Sequence, residues 1–270
     1  MLNLMLAGRQ YLPECTIITR LIGLYALCEN ESDRRYKTFM GEGAALRRNF
    51  ESIINTGLRD TPKDAVLKDP YLCLYFQEWR DLFPNDPMIV IIRNPLDAVT
   101  SMLGVLRRTD ANARVSRAID FMAPFYAAID RIPENSNNVL VVRYEDLVMR
   151  AAKPVEKLRQ FAGRELQGLS DSRPIDTPYL PGQSDPFYSP LYGRPLTDRR
   201  IGVHRDLLTR YELDVVSEAF GDVVERRFKD FVGAHNGERR LGLPAFKLNR
   251  ELTRLGKNLV RWPRPSSARG

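Results

Sequence analysis

Short apolar runs alternate along most of this chain with longer stretches in which apolar residues recur every three or four positions. Met88–Ile92 is uninterrupted and rich in β-branched residues, the pattern of a buried strand, Val139–Val142 predicts another buried strand, and Leu2–Ala7 and Ala65–Leu67 predict short strands. The longer stretches predict helices. Ile17, Ile18, Leu21, Ile22, Leu24 and Tyr25 mark the first, with Cys15-Thr16 as its opening turn, and Leu46, Phe50, Ile53 and Ile54 mark one over Ala44–Asn55. Leu72, Tyr75, Phe76, Trp79, Leu82 and Phe83 predict a helix over Tyr71–Phe83 that packs its aromatic stripe against the sheet. Further helices are expected from Leu96 to Arg108, from Ala111 to Asp130 with a bend at Pro124, over Pro154–Phe161, and around Leu213, Val216, Phe220 and Val223–Phe228.

Two segments break the alternation. Arg164–Asp198 is rich in Pro, Gly, Ser and Asp, with Tyr179, Phe187, Tyr188 and Tyr192 among them, and a connection this long is expected to act as a lid or an acceptor-binding loop. Beyond Gly237 and Pro244, Leu248, Leu252, Leu255 and Leu259 form one apolar seam of a basic amphipathic helix, ending near Trp262. The expected division is a domain over residues 1–236 and a tail over residues 237–270.

The charge sharpens that division. The chain has 270 residues and a net charge of +7. Nine Lys and Arg against two Glu after residue 236 account for all of it, leaving 32 basic and 32 acidic side chains before. A neutral body excludes a nucleic-acid groove, while the tail suits an anionic membrane surface, or else docks on its own domain or a second subunit. Three cysteines without zinc spacing, and no leader pattern at Met1–Asn3, lead us to expect reduced thiols in the cytoplasm, with the tail peripheral at the inner face of the membrane. With only His204 and His235 present, a mechanism needing several histidines is excluded.

The candidate chemistry gathers where strands end. Arg93 follows the run Met88–Ile92, Pro95 suits a first helical turn, and Ser101 lies about two turns into that helix. A fixed cation and a hydroxyl so placed can pinch a tetrahedral anion. Lys68-Asp69-Pro70 ends another strand, and Gly8-Arg9-Gln10 leads from the first strand to the first helix, where nucleotide-binding folds cradle phosphates.

These motifs resemble those of sulfotransferases that use 3′-phosphoadenosine 5′-phosphosulfate (PAPS). Arg93 and Ser101, eight apart within Arg-Asn-Pro-Leu-Asp-Ala-Val-Thr-Ser, resemble the pair that holds the 3′-phosphate. Gly8, Arg9 and Thr16 resemble parts of the loop around the 5′-phosphosulfate, with Gln10 as a further ligand. Pro13 and Glu14 depart from it, because Pro13 lacks an N–H and Glu14 would repel the phosphate. Arg199-Arg200-Ile201-Gly202 resembles the late cofactor segment through Arg200 and Gly202, with His204 in place of the usual Trp, and Tyr144-Glu145-Asp146-Leu147 resembles a motif that closes a core strand.

The resemblance implies an α/β fold of the P-loop nucleotide-hydrolase type, with a parallel sheet of about four or five strands flanked by helices on both faces. It implies in-line transfer of a sulfuryl group from PAPS to a hydroxyl of a glycan, glycolipid or small-molecule acceptor. Asp69 is the first choice for the base, with Glu42 and Glu14 as alternatives; Lys68 and Arg9 would stabilise the developing charge. No metal is implied, since Arg9, Arg93 and Arg200 would meet the cofactor's charge. Two other readings stay open: a degenerate binding module at a membrane surface, and a nucleotide or small-molecule kinase, which would lack the Gly-x-x-x-x-Gly-Lys-Ser/Thr cradle.

Overall fold

In the computed structural model of the chain, residues 5–6, 11–13, 16–30, 40–60, 66–133, 135–136, 138–163, 166–167 and 198–229 are described. In chain order they form β1 (Met5–Leu6), β2 (Tyr11–Pro13), α1 (Thr16–Asn30), α2 (Ala44–Gly57), β3 (Val66–Lys68), a 3₁₀ helix (Pro70–Tyr75) and α3 (Phe76–Leu82). There follow β4 (Met88–Ile92), α4 (Pro95–Thr109), α5 (Val115–Asp130), β5 (Asn135–Ser136), β6 (Val139–Arg143), α6 (Tyr144–Val148), α7 (Ala152–Ala162) and β7 (Leu166–Gln167). A 3₁₀ turn (Asp198–Arg200), α8 (His204–Leu207) and α9 (Arg210–Arg227) complete the order. Described residues from 87 onward, with β1 and Tyr11, make one compact unit, and the described residues between 12 and 86 make another.

The later unit is built on β4 and β6. They pair in parallel, Met88 opposite Val139 through Ile92 opposite Arg143. A parallel pair needs a long crossover, and α4 and α5 supply it. Leu140, Val142 and Ile89 pack with Leu147 of α6 and with Val155 and Leu158 of α7. Burial of a side chain such as Leu158, which is fully covered, contributes about 1.5–3 kcal/mol. Val90, Ile92 and Val139, on the opposite face, are buried as well. On the helical side α4, α5 and α9 pack on one another, and Tyr126 meets Phe220 edge-on with centroids 5.2 Å apart.

Several expectations change. The strand at Met88–Ile92 is not covered throughout, because Ile91 is 36% exposed and β4 is an edge of its sheet among the described residues. That sheet runs β4-β6-β5, with β5 antiparallel to β6, so parallel pairing there is confined to β4 and β6. Of the strand expected over Leu2–Ala7, the described residues Met5–Leu6 form β1, which pairs antiparallel with β7. The helix expected from Ala111 begins at Val115, because Asp110 closes a turn first: its carbonyl accepts the Ala113 N–H and its side chain that of Asn112. The helix then continues through Pro124.

In the earlier unit β2 pairs with β3. The aromatic stripe expected to cover a sheet packs instead on helices. Pro70–Tyr75 is a 3₁₀ turn and Phe76–Leu82 an α-helix, and together they lie against α1 and α2, with Trp79 and Leu82 buried. The change of helix type at Tyr75 explains this, since a 3₁₀ turn advances side chains by a different angle and turns the stripe. Tyr25 of α1 meets Phe50 of α2 edge-on in the same core.

Candidate active site

The carboxyl end of β4 is a tightly specified junction. Asn94 caps α4, its side-chain oxygen accepting the Leu96 N–H at 3.0 Å, and Pro95 occupies the first turn where a missing N–H costs nothing. Glu145, just after β6, accepts the Asn94 N–H at 2.8 Å. Tyr126 of α5 donates its hydroxyl to the Arg93 carbonyl at 2.6 Å. Three elements thereby fix the backbone from Arg93 to Leu96.

The Arg93 side chain is half-buried at this junction. Its guanidinium lies over the Tyr144 ring, 5.2 Å from the centroid, and Nη2 donates to the carbonyl of Arg200. Its Nε is buried and has no hydrogen-bond partner, as is Oε2 of Glu145. An unpartnered N–H on a buried cation is a donor suited to an anionic group, so the residues here fit a phosphate. Ser101, two turns along α4, is exposed.

Asp97 ties in the late segment. It is buried, and its oxygens accept the Gly202 N–H at 2.7 Å, the His204 N–H at 3.1 Å and the His204 Nδ1 at 2.6 Å. Gly202 has a φ of 77°, the left-handed region that favours glycine, which lets its N–H turn toward the carboxylate. Thus the expected residues Arg93, Arg200 and Gly202 are brought together, although Arg93 lies more than 100 positions from the other two. His204, expected on the cofactor side in place of a Trp, is buried as a partner of Asp97.

The two buried carboxyls are tuned in opposite directions. Burial raises Asp97, but the hydrogen bond from the His204 ring and those from the Gly202 and His204 N–H groups outweigh it and hold the carboxyl below its ordinary value. Burial also raises Glu145, and there the Asn94 N–H and the charge of Arg93 only partly offset it, so that carboxyl stays above its ordinary value. The hydroxyls of Tyr126 and Tyr144 are likewise pushed up by burial. Asp146, next to Glu145, holds Arg143 through two hydrogen bonds of 2.7 and 3.0 Å.

The expected catalytic pair stands in the other unit. Lys68 ends β3, and Asp69 caps the 3₁₀ helix, accepting the Tyr71 N–H at 2.8 Å and the Thr19 hydroxyl at 2.7 Å. Pro70 at the first helical position completes a cap that explains Asp-Pro at this point without chemistry. Glu42 is exposed just ahead of α2. Thr16 opens α1, while Arg9, Gln10 and Glu14 lie outside the described residues, as does the tail over residues 237–270.

Sequence reasoning assigned no role to Asp97 or Tyr126. The signal for Asp97 was available, since it interrupts the apolar run Leu96, Ala98, Val99 near a helix start, and a carboxylate on a buried face must have donors. Tyr126 gave none, being one aromatic among several in α5.

The sequence model described as "Sulfotransferase family" matches residues 24–168, more than half of the chain. No curated protein matches. Among solved structures, the chain is similar to one described as "Sulfotransferase Domain from the Curacin Biosynthetic Pathway", at 14% identity over 82% of this chain and 81% of that one, TM-score 0.44. It is also similar to "Sulfotransferase Domain from the Synechococcus PCC 7002 Olefin Synthase", at 13% identity over 80% of this chain and 96% of that one, TM-score 0.44.

Proposed function

The chain belongs to the sulfotransferase family, and from that membership we propose that it transfers a sulfuryl group from PAPS to the hydroxyl of a glycan, glycolipid or small-molecule acceptor. In such a transfer the acceptor oxygen forms a bond to sulfur, the bond from sulfur to the bridging phosphate oxygen breaks, and the acceptor proton passes to a base, leaving adenosine 3′,5′-bisphosphate. In this reading Arg93 and Ser101 hold the 3′-phosphate and Arg200 with Gly202 contributes to the same nucleotide. Arg9, Gln10 and Thr16 hold the 5′-phosphosulfate. Lys68 and Arg9 stabilise the developing charge, and Asp69 takes the proton.

One observation carries most of the weight: Arg93, with a buried and unpartnered Nε, is joined to the backbone of Arg200. A cation at a strand end, held beside a second arginine, suits a dianionic ribose substituent. Calorimetric titration of the chain with adenosine 3′,5′-bisphosphate tests the reading. Binding is expected, with a loss of at least about tenfold in Arg93→Ala, since a charge-assisted bond to phosphate is removed. Absence of binding by the unaltered chain, or binding only of ATP with magnesium, overturns it, the latter in favour of the kinase.

Asp69 favours a second reading, a non-catalytic binding module, because its two oxygens already accept hydrogen bonds as a helix cap and as the partner of Thr19. The two readings separate on turnover. With Asp69 as base, Asp69→Ala binds adenosine 3′,5′-bisphosphate normally and loses sulfuryl transfer about 10²–10⁴-fold, whereas a binding module shows no transfer from either protein.

A further inference from the structure

Asp97 is only 1% exposed, yet none of its three hydrogen bonds goes to its own helix. A carboxylate withdrawn from water persists where donors fill its lone pairs. Here all three donors come from one short piece of chain, Gly202 to His204, and Arg93 grips the carbonyl of Arg200 just before it. The junction between β4 and α4 therefore holds the late segment at two points, one through a cation and one through an anion.

We propose that Asp97 is a positioning residue that latches the segment from Arg200 to His204 onto the start of α4, and so sets the fraction of molecules whose two arginines stand ready for a 3′-phosphorylated nucleotide. This rests on the reading of Arg93 as a phosphate-binding cation. The latch has no direct contact with the ligand in its role. It acts on affinity through population: when the segment detaches, Arg200 and Gly202 leave the site, and the apparent dissociation constant rises in inverse proportion to the fraction that remains attached.

The chemistry of the pair makes the latch specific to a carboxylate. Asn at this position keeps one acceptor oxygen but in either orientation turns its NH₂ toward a backbone N–H, that of Gly202 or that of His204, setting donor against donor. Ala removes both acceptor oxygens and leaves the N–H groups of Gly202 and His204 unpaired. Affinity should therefore fall in the order wild type, Asp97→Asn, Asp97→Ala.

The test titrates adenosine 3′,5′-bisphosphate into the full chain and its Asp97→Asn, Asp97→Ala and Val155→Ala variants, with melting temperature measured for each. Val155 packs against the core around Leu158 and supplies a control whose stability loss has no connection to the latch. Expected are losses of about fivefold for Asp97→Asn and about thirtyfold for Asp97→Ala, with Val155→Ala within about twofold of wild type despite a lower melting temperature. Where turnover is measurable, the KM for PAPS rises while kcat is retained.

Asp97→Asn changes almost no volume and decides the matter if Asp97→Ala fails to fold. A wild-type chain that binds while Asp97→Asn binds equally well within about twofold overturns the latch and leaves the functional reading intact. Equal losses in Val155→Ala and Asp97→Asn at matched melting temperatures overturn it too, by assigning the effect to general destabilisation. A wild-type chain that does not bind overturns the functional reading and the latch together.

Discussion

Glu145 and Asp97 sit beside the same strand end and respond to acid in opposite ways. The Glu145 carboxyl is raised by burial, so the folded chain holds that proton more tightly than the unfolded chain. Its contribution is then fullest below the unfolded value near about pH 4.3 and is lost as pH rises through the raised folded value. Asp97 is lowered despite burial, so its contribution is present above about pH 4 and is lost as pH falls through the depressed folded value. Glu145→Gln keeps an acceptor for the Asn94 N–H while removing the buried charge, and is expected to melt within about 1 kcal/mol of wild type at pH 7. Glu145→Ala strips that N–H of its acceptor and should cost about 1–3 kcal/mol. Melting curves from pH 4 to 8 check both, and an Ala variant as stable as the Gln variant would remove this account of Glu145.

Among the elements, α9 shows how a local device positions a distant one. Thr209 and Glu212 form a capping box at its start: the Thr209 hydroxyl accepts the Glu212 N–H, and the Glu212 carboxylate accepts the Thr209 N–H at 2.9 Å. The same carboxylate pairs with Arg107 near the end of α4. The box therefore orients a tie to α4, the helix that follows Arg93, in addition to starting α9. Thr209→Ala should lower stability by about 0.5–2 kcal/mol in urea unfolding, and more than an exposed substitution such as Asp214→Ala. The 3₁₀ turn at Pro70–Tyr75 is the counterpart in the earlier unit, where Asp69 as cap redirects an aromatic stripe onto α1 and α2.

For the whole molecule the distribution of charge gives the prediction. The body is neutral and the excess charge of +7 is confined to residues 237–270. Among the described residues no helix is long and apolar enough to cross a membrane. We propose that the tail holds the chain on anionic surfaces, each Lys or Arg near such a surface contributing about 1 kcal/mol at low salt. The full chain should sediment with phosphatidylserine vesicles, release as salt is raised above about 0.3 M, and fail to sediment with neutral vesicles. Equal binding to neutral and anionic vesicles would refute the electrostatic part, and no binding to either would leave the tail to dock on protein.

The boundary of legibility runs through the site itself. The end of β4 and the place of Pro95 in the first helical turn were readable because each depends on neighbours within a few positions. So were most helices, and so was the family, since the matched stretch over residues 24–168 carries Lys68-Asp69, Arg93 to Ser101 and Tyr144 to Leu147. What the chain order could not reveal is which polar groups meet. Gly202 lies 105 positions from Asp97, Arg200 lies 107 from Arg93, and Glu145 lies 51 from Asn94. Local patterns follow from backbone sterics and from the period of a helix or strand, which a linear sequence encodes directly. The pairing of buried donors and acceptors is decided only when tertiary packing removes water and obliges each of them to find a partner in the protein.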